Sequence, residues 1–336
     1  MPKLLKTIIK FVCFLAIGLG LIWLVTHNLT EKERQDIVMA FKRANYWLII
    51  PVILVGVASH WYRAVRWKLL MVPLGYRPTT LNTFFAVMVG YLVNLAIPRL
   101  GEVTRCGIVA RYEKVPADKL VGTMIAERAV DLLLLILIMV VTVLIQIDLV
   151  GAFFTEYVWL PLEQKVGNKS WVILLIAVIV IGLILLGIRL LSRSKAGIAI
   201  KNMARGVWTG FLSIGKMEKK GWFIFYSILI WVLYFGMMYL GFMCMDETRY
   251  LGVKAALAVL AFGSIGMIAT QGGIGAYQLL VQKTLLLYGV TATTGYAFGW
   301  IVWIAQTLLV MILGFGSLIA LPIYNKNPAP EPNGRL

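Results

Sequence analysis

Apolar residues fall along this chain in long blocks, at about 8–25, 46–61, 119–147, 171–188, 222–245 and 294–321. Blocks near or above the roughly 18–20 residues that a bilayer core requires predict membrane-spanning helices. Two further apolar stretches are interrupted. The run 83–97 meets Pro98 and Gly101, and Ile268 leads into Gly272, Gly273 and Gly275 before apolar sequence resumes. Proline and clustered glycine break a helix. Broken backbone at membrane depth is tolerated only where protein or a watery cavity satisfies it.

The polar intervals set the expected topology. Arg63, Arg66, Lys68 and Arg77 follow the second block without an acid, and the interval after 188 carries Arg189, Arg193, Lys195, Lys201, Arg205, Lys216, Lys219 and Lys220 against Glu218. Both are expected to be cytoplasmic by the bias of basic residues toward that side. A full crossing at 83–97 would place Arg105, Arg111, Lys114 and Lys119 outside. A hairpin that enters from the cytoplasm and turns at 98–101 avoids this. The glycine-rich break at 272–275 is by the same logic a second hairpin, entering from outside. Residues 28–45 read as a short amphipathic segment, 148–170 as an external loop, and Asp246, Glu247 and Arg249 as external. The basic flank of the first block resembles a signal peptide, but no small-residue cleavage site follows, so an uncleaved span is expected.

The expected fold is therefore an all-α polytopic membrane protein with about six full transmembrane helices and two re-entrant hairpins. The transmembrane domain covers 1–323, with a disordered, proline-rich tail at 324–336. Both termini are expected on the cytoplasmic side of the cell membrane. Setting Gly101 against Gly275, with one extra residue in the second copy, pairs Val115 with Val290, Ala117 with Ala292 and Asp131 with Gln306. Two repeats, about 8–147 and 171–322, follow from the shared order of elements. An odd number of crossings between them makes the repeats inverted, a common plan for transporters.

Composition sharpens the class. The chain has 336 residues, is 60% hydrophobic and 14% charged, and carries a net charge of +17. In a chain with mean hydropathy +0.86 that charge reads as topology and attraction to anionic headgroups, not nucleic-acid binding. Three cysteines and two histidines show no metal spacing, so no metal or cofactor is expected. Charge inside the apolar blocks is the candidate chemistry. Arg99, Glu102 and Arg105 surround the first break, and Glu127, Arg128 and Asp131 lie in the block after it. Arg128 and Asp131 sit roughly 13–18 Å in from Lys119 at helical rise. With Asn94 they form the candidate substrate site, and Pro98, Gly101, Gly272, Gly273 and Gly275 the backbone of its cavity. Arg63 and Arg66 are candidate headgroup contacts.

The ordered set Asn94-x3-Pro98-x2-Gly101-Glu102-x2-Arg105, Glu127-Arg128-x2-Asp131 and Gly272-Gly273-x-Gly275, with Arg63 and Arg66-Trp67 upstream, resembles the flippase-like transmembrane family that includes the membrane region of lysylphosphatidylglycerol synthase. The resemblance covers about 6–321 and implies movement of lipids or lipid-linked sugars between leaflets. Gln271 stands where many relatives have Pro, and Gln278 where an acid is frequent. The soluble aminoacyl-transferase domain of the synthase has no counterpart in the sequence, so lysyl transfer is not implied.

Two classes remain open on these residues. In one, a non-enzymatic transporter holds an anionic phospholipid or lipid-linked glycan with its arginines, because a guanidinium binds phosphate through two parallel hydrogen bonds. Glu102, Glu127 and Asp131 balance the charge, and protonation of Asp131 couples movement to a proton gradient. In the other, a membrane enzyme or accessory subunit acts on a lipid-linked substrate, though no nucleophile–base pair, metal set or nucleotide loop supports it; a structural or regulatory membrane partner is a third, plainer reading. The charged residues also have a purely structural reading, with Glu102 bridging Arg99 and Arg105, or with Glu127 and Arg128 snorkelling to the interface. A homo-oligomer is compatible with either class.

Overall fold

The computed structural model describes residues 3–27, 29–97, 99–147, 155, 160 and 217–326. The expected span 171–188, the loop at 148–170, nearly all of the basic interval after 188, Pro98 and the tail beyond 326 lie outside the described residues. Ten helices are named here: α1 (Lys3–Thr26), α2 (Glu31–Arg43), α3 (Ile49–Met71), α4 (Thr80–Ala96), α5 (Leu100–Glu113), α6 (Ala117–Ile145), α7 (Lys220–Phe242), α8 (Val253–Ala269), α9 (Ala276–Leu286) and α10 (Ala292–Tyr324). Single 3-10 turns flank α3 and join α8 to α9. The described residues contain no strand.

Local chemistry explains several boundaries. Thr30 caps α2 in a reciprocal box with Glu33, whose carboxylate is held below its ordinary pKa by hydrogen bonds from the Thr30 amide and hydroxyl. Thr79 and Thr291 each accept a backbone N–H in the first turn of α4 and α10. Pro51 falls in the first turn of α3, where a missing N–H breaks no intrahelical bond. Two boundaries differ from expectation. The second span was expected to end at 61, yet α3 continues to Met71 and takes the basic cluster inside the helix. The last span was expected to end at Pro322, yet α10 runs through it to Tyr324, because a proline in the final turn removes only one bond near the fraying end.

Among the described residues, four helices are long and apolar enough to cross a membrane: α3 with its flanking turns, α6, α7 and α10. Their outward faces are exposed and apolar, as at Ile136, Leu144, Ile312 and Ile319. By contrast α4 and α8, at 17 residues each, extend only ~26 Å, short of a ~30 Å hydrocarbon core.

The shorter helices form two tight hairpins, α4–α5 and α8–α9. At one end of the bundle Asn82 on α4 exchanges hydrogen bonds with Asn325 after α10, and Glu113 on α5 accepts from Asn82 and Thr79. At the other end Gln146 after α6 donates to the Lys254 carbonyl on α8, and Gln282 on α9 donates to the Ala292 carbonyl on α10. The hairpins thus enter from opposite ends and meet at their tips, where Gln271 Nε2 donates to the Asn94 carbonyl at 2.7 Å. Gly18 of α1 packs against the second tip: a Cβ on Gly18 would lie 2.7 Å from the Ile274 carbonyl oxygen, and one on Gly275, at φ +77°, would collide with the Gly18 carbonyl.

Candidate functional site

The glycine break of the first hairpin fixes where its charges go. Gly90 and Gly101 let α4 and α5 touch backbone to backbone, since a Cβ on Gly90 would come within 2.8 Å of the Gly101 carbonyl oxygen. Asn94 Oδ1 accepts the Gly101 N–H at 2.8 Å, so this side chain closes the turn. Arg99, at φ +65°, begins α5 from an exposed position and makes no ion pair among the described residues. Six residues further along, Arg105 faces inward and is 3% exposed.

Arg105 enters a network assembled from three other helices. Glu127 and Asp131, four residues apart on α6, share a face, and α3 presents Arg63 and Arg66 to the same face. Asp131 holds one arginine with each oxygen: Oδ1 lies 2.7 Å from Arg66 Nη1 and Oδ2 2.8 Å from Arg63 Nη1. Glu127 Oε1 accepts from Arg66 Nη2 at 3.1 Å and Arg63 Nη1 at 3.3 Å. Arg105 Nη2 lies 2.9 Å from Glu127 Oε2, but off hydrogen-bond geometry, so each of those two atoms is left without a hydrogen-bond partner. That contact is an ion pair held by charge and by the Trp67 ring, whose centroid is 4.4 Å from the Arg105 guanidinium carbon. Trp67 is itself fixed by donating Nε1–H to Thr123 Oγ1 at 3.0 Å.

From α7, Tyr234 Oη accepts from Arg63 Nη2 at 2.7 Å and Ser227 Oγ from Arg66 Nη1 at 3.3 Å. His60 lies one turn before Arg63 with both ring nitrogens buried and unpartnered, and its ring packs on Tyr91 of α4 at 5.2 Å. Among the described residues, three buried arginines face the buried Glu127 and the largely buried Asp131, a surplus of one positive charge in this network. Uncompensated buried charge is strongly unfavourable, so an arrangement that keeps a surplus cation suits an anionic guest.

The residues named from sequence divide in the structure. Arg105, Glu127 and Asp131 come together. Arg128 pairs with Glu102 at 3.2 Å in a separate, partly exposed contact, so Glu102 does not bridge Arg99 and Arg105, and Glu127 does not snorkel. Arg63 and Arg66, expected as headgroup contacts in a loop, are instead 5% and 0% exposed inside α3; longer helical continuation turned a loop cluster into a core cluster. Gly272 and Gly273 shape the second tip, where the Gly272 carbonyl accepts from Trp303 Nε1 at 2.7 Å. Tyr234 and Ser227 were missed. Their signal was polarity seven residues apart within the apolar run 222–245, which places both on one helical face.

A family model described as the lysylphosphatidylglycerol synthase TM region matches residues 11–314. No curated protein and no solved structure matches the chain.

Proposed function

Because the chain belongs to the lysylphosphatidylglycerol synthase transmembrane-region family, a family of multi-pass membrane proteins, we propose that it moves an anionic phospholipid or lipid-linked sugar between leaflets. In this reading the headgroup is handled at the surplus positive charge of Arg63, Arg66 and Arg105. That surplus is the observation that carries the proposal. A phosphate would neutralise it through charge-assisted hydrogen bonds to guanidinium groups that have spare donors.

The membrane placement is part of the same reading. Arg63 and Arg105 each stand eight residues before the ends of their helices at Met71 and Glu113, or ~12 Å at helical rise, about four-fifths of the way to the middle of a ~30 Å core entered at those ends. The opposed hairpins are re-entrant, their tips meet at mid-depth, and the two halves are inverted repeats. The end bearing Arg77, Arg111, Lys119, Lys219 and Lys220 faces the cytoplasm together with both termini. The arginines orient and balance the cargo, and the chain carries out no bond chemistry.

Arg105 is the residue that tests it. Arg105→Gln leaves two arginines on two carboxylates, and Glu127 keeps its hydrogen bonds to Arg63 and Arg66, so stability should stay near wild type. Loss of a charge-assisted contact to cargo should slow exchange of a fluorescent anionic lipid in proteoliposomes by about tenfold or more. Wild-type exchange by the variant, or loss of exchange only alongside a collapsed melting temperature, would remove the basis for the proposal.

A further inference from the structure

A groove separates α5 from α10, lined by Thr104, Gly107, Ile108, Arg111, Leu318 and Pro322, with a volume of about 410 Å³. Its position along α5 is ordered by chemistry. Arg111 stands two residues from the helix end, at the basic end of the bundle; it is exposed, leans on the Tyr112 ring at 5.6 Å and makes no ion pair among the described residues. From there the walls run inward for seven residues, ~10 Å, to Thr104. The lining along that path is apolar or self-satisfied, since the Thr104 hydroxyl donates to the Leu100 carbonyl at 2.9 Å. Gly107 leaves the floor open: no heavy atom lies within 4 Å of where its Cβ would be. Pro322 has no N–H, so the Leu318 carbonyl in the opposite wall lacks its usual donor four residues on.

A cation at the level of headgroups above an apolar channel that runs toward the membrane interior matches the two ends of a phospholipid in register. We propose that this groove is a docking site for one anionic phospholipid of the leaflet at the basic end, its phosphate on Arg111 and one acyl chain laid over Gly107 between α5 and α10. The proposal rests on the reading of the chain as a lipid-handling membrane protein and is independent of whether Arg105 carries cargo. Arg105 lies on the same helix, six residues or ~9 Å deeper, but faces inward and does not line the groove.

The test is native mass spectrometry of the full chain in mild detergent with equal phosphatidylglycerol and phosphatidylcholine. Wild type should retain the anionic lipid about tenfold over the zwitterionic one. Arg111→Gln should bring the two to parity, and Gly107→Leu, which fills the floor without touching the core, should lower both several-fold. Glycerol phosphate, which has the anion without the chain, should not displace the bound lipid. Unchanged phosphatidylglycerol retention in both variants would overturn the site, and displacement by glycerol phosphate would reduce it to a simple anion contact and overturn the docking assignment. Leaflet exchange by Arg105→Gln, measured separately, distinguishes the fates of the two ideas: docking lost in Arg111→Gln with exchange intact in Arg105→Gln would retain the groove and sink the transport site.

Discussion

The segments α3–α6 and α7–α10 use one order of elements, a long helix, a glycine-pinched hairpin and a second long helix, but fill corresponding positions with different chemistry. Counted back from the hairpin glycines, Arg63 (101 − 63 = 38) and Met237 (275 − 237 = 38) are equivalent; counted forward, Asp131 lies at 131 − 101 = 30 and Gln306 at 306 − 275 = 31, one residue longer. Each pair is in contact. Arg63 Nη1 meets Asp131 Oδ2 at 2.8 Å, and Gln306 Nε2 meets Met237 Sδ at 3.2 Å. The same helix–helix contact is therefore an ion pair in one half and a weak neutral contact in the other. A thioether accepts a hydrogen bond poorly, so the second half keeps the packing with little electrostatics. The second half holds the equivalent contact without an ion pair, so the charge of the first half is an addition at this position.

That contrast is testable, beginning with the largest expected effect. Glu127→Gln leaves three buried arginines against Asp131 alone, and should cost about 3–5 kcal/mol in detergent unfolding. Gln306→Leu, which removes the neutral contact at the position equivalent to Asp131, should cost under about 1 kcal/mol. Equal losses would mean that the ion network contributes no more than ordinary packing.

Next in size are the tips. An alanine at Gly101 would drive its Cβ into the Gly90 carbonyl, and one at Gly275 would meet the Gly18 carbonyl from a left-handed backbone. Each should destabilise by about 2–3 kcal/mol, read as a loss of melting temperature. A tolerant Gly101→Ala would break the claim that both hairpins depend on backbone contact.

A smaller effect sharpens the comparison directly. Arg63→Met with Asp131→Gln imports the neutral pair of the second half into the first. The double variant should recover about 1–2 kcal/mol relative to Asp131→Gln alone, seen as positive coupling in a double-mutant cycle. Strict additivity would mean that the two positions do not act as a pair. The smallest change belongs to Glu102→Gln, whose partner Arg128 is 41% exposed at its side chain: unfolding should shift by at most about 1 kcal/mol.

Gln271 and Gln278 hold the second tip with neutral amide hydrogen bonds. Gln271 uses its amide N–H to tie the second tip to the Asn94 and Leu95 carbonyls, a bond that a proline in its place has no donor to make. Gln278 Oε1 accepts the Gly275 N–H at 2.8 Å, an acceptor role that requires no charge. Both tips are thus closed by amide side chains: Asn94 across seven residues in the first, Gln278 across three in the second.

Apolar block length by itself determined that long spanning helices exist in this chain, because the backbone cannot leave its hydrogen bonds unmade in hydrocarbon. Proline and glycine marked where helices α4 and α8 stop, because those residues act on φ and ψ locally. Charge inside the apolar blocks pointed to Arg105, Glu127 and Asp131, which the fold brings into one network. Partner choice was decided only in three dimensions. The sequence places Glu102 three residues from Arg105, yet Glu102 turns to Arg128 and Arg105 to Glu127, since residues on one helix reach different neighbours according to the face they occupy. The burial of Arg63 and Arg66 was likewise hidden: at the end of an apolar block a basic pair reads as a loop. It became interior only when α3 continued past them and α6 and α7 supplied Asp131, Glu127, Tyr234 and Ser227 from 61 to 171 residues away.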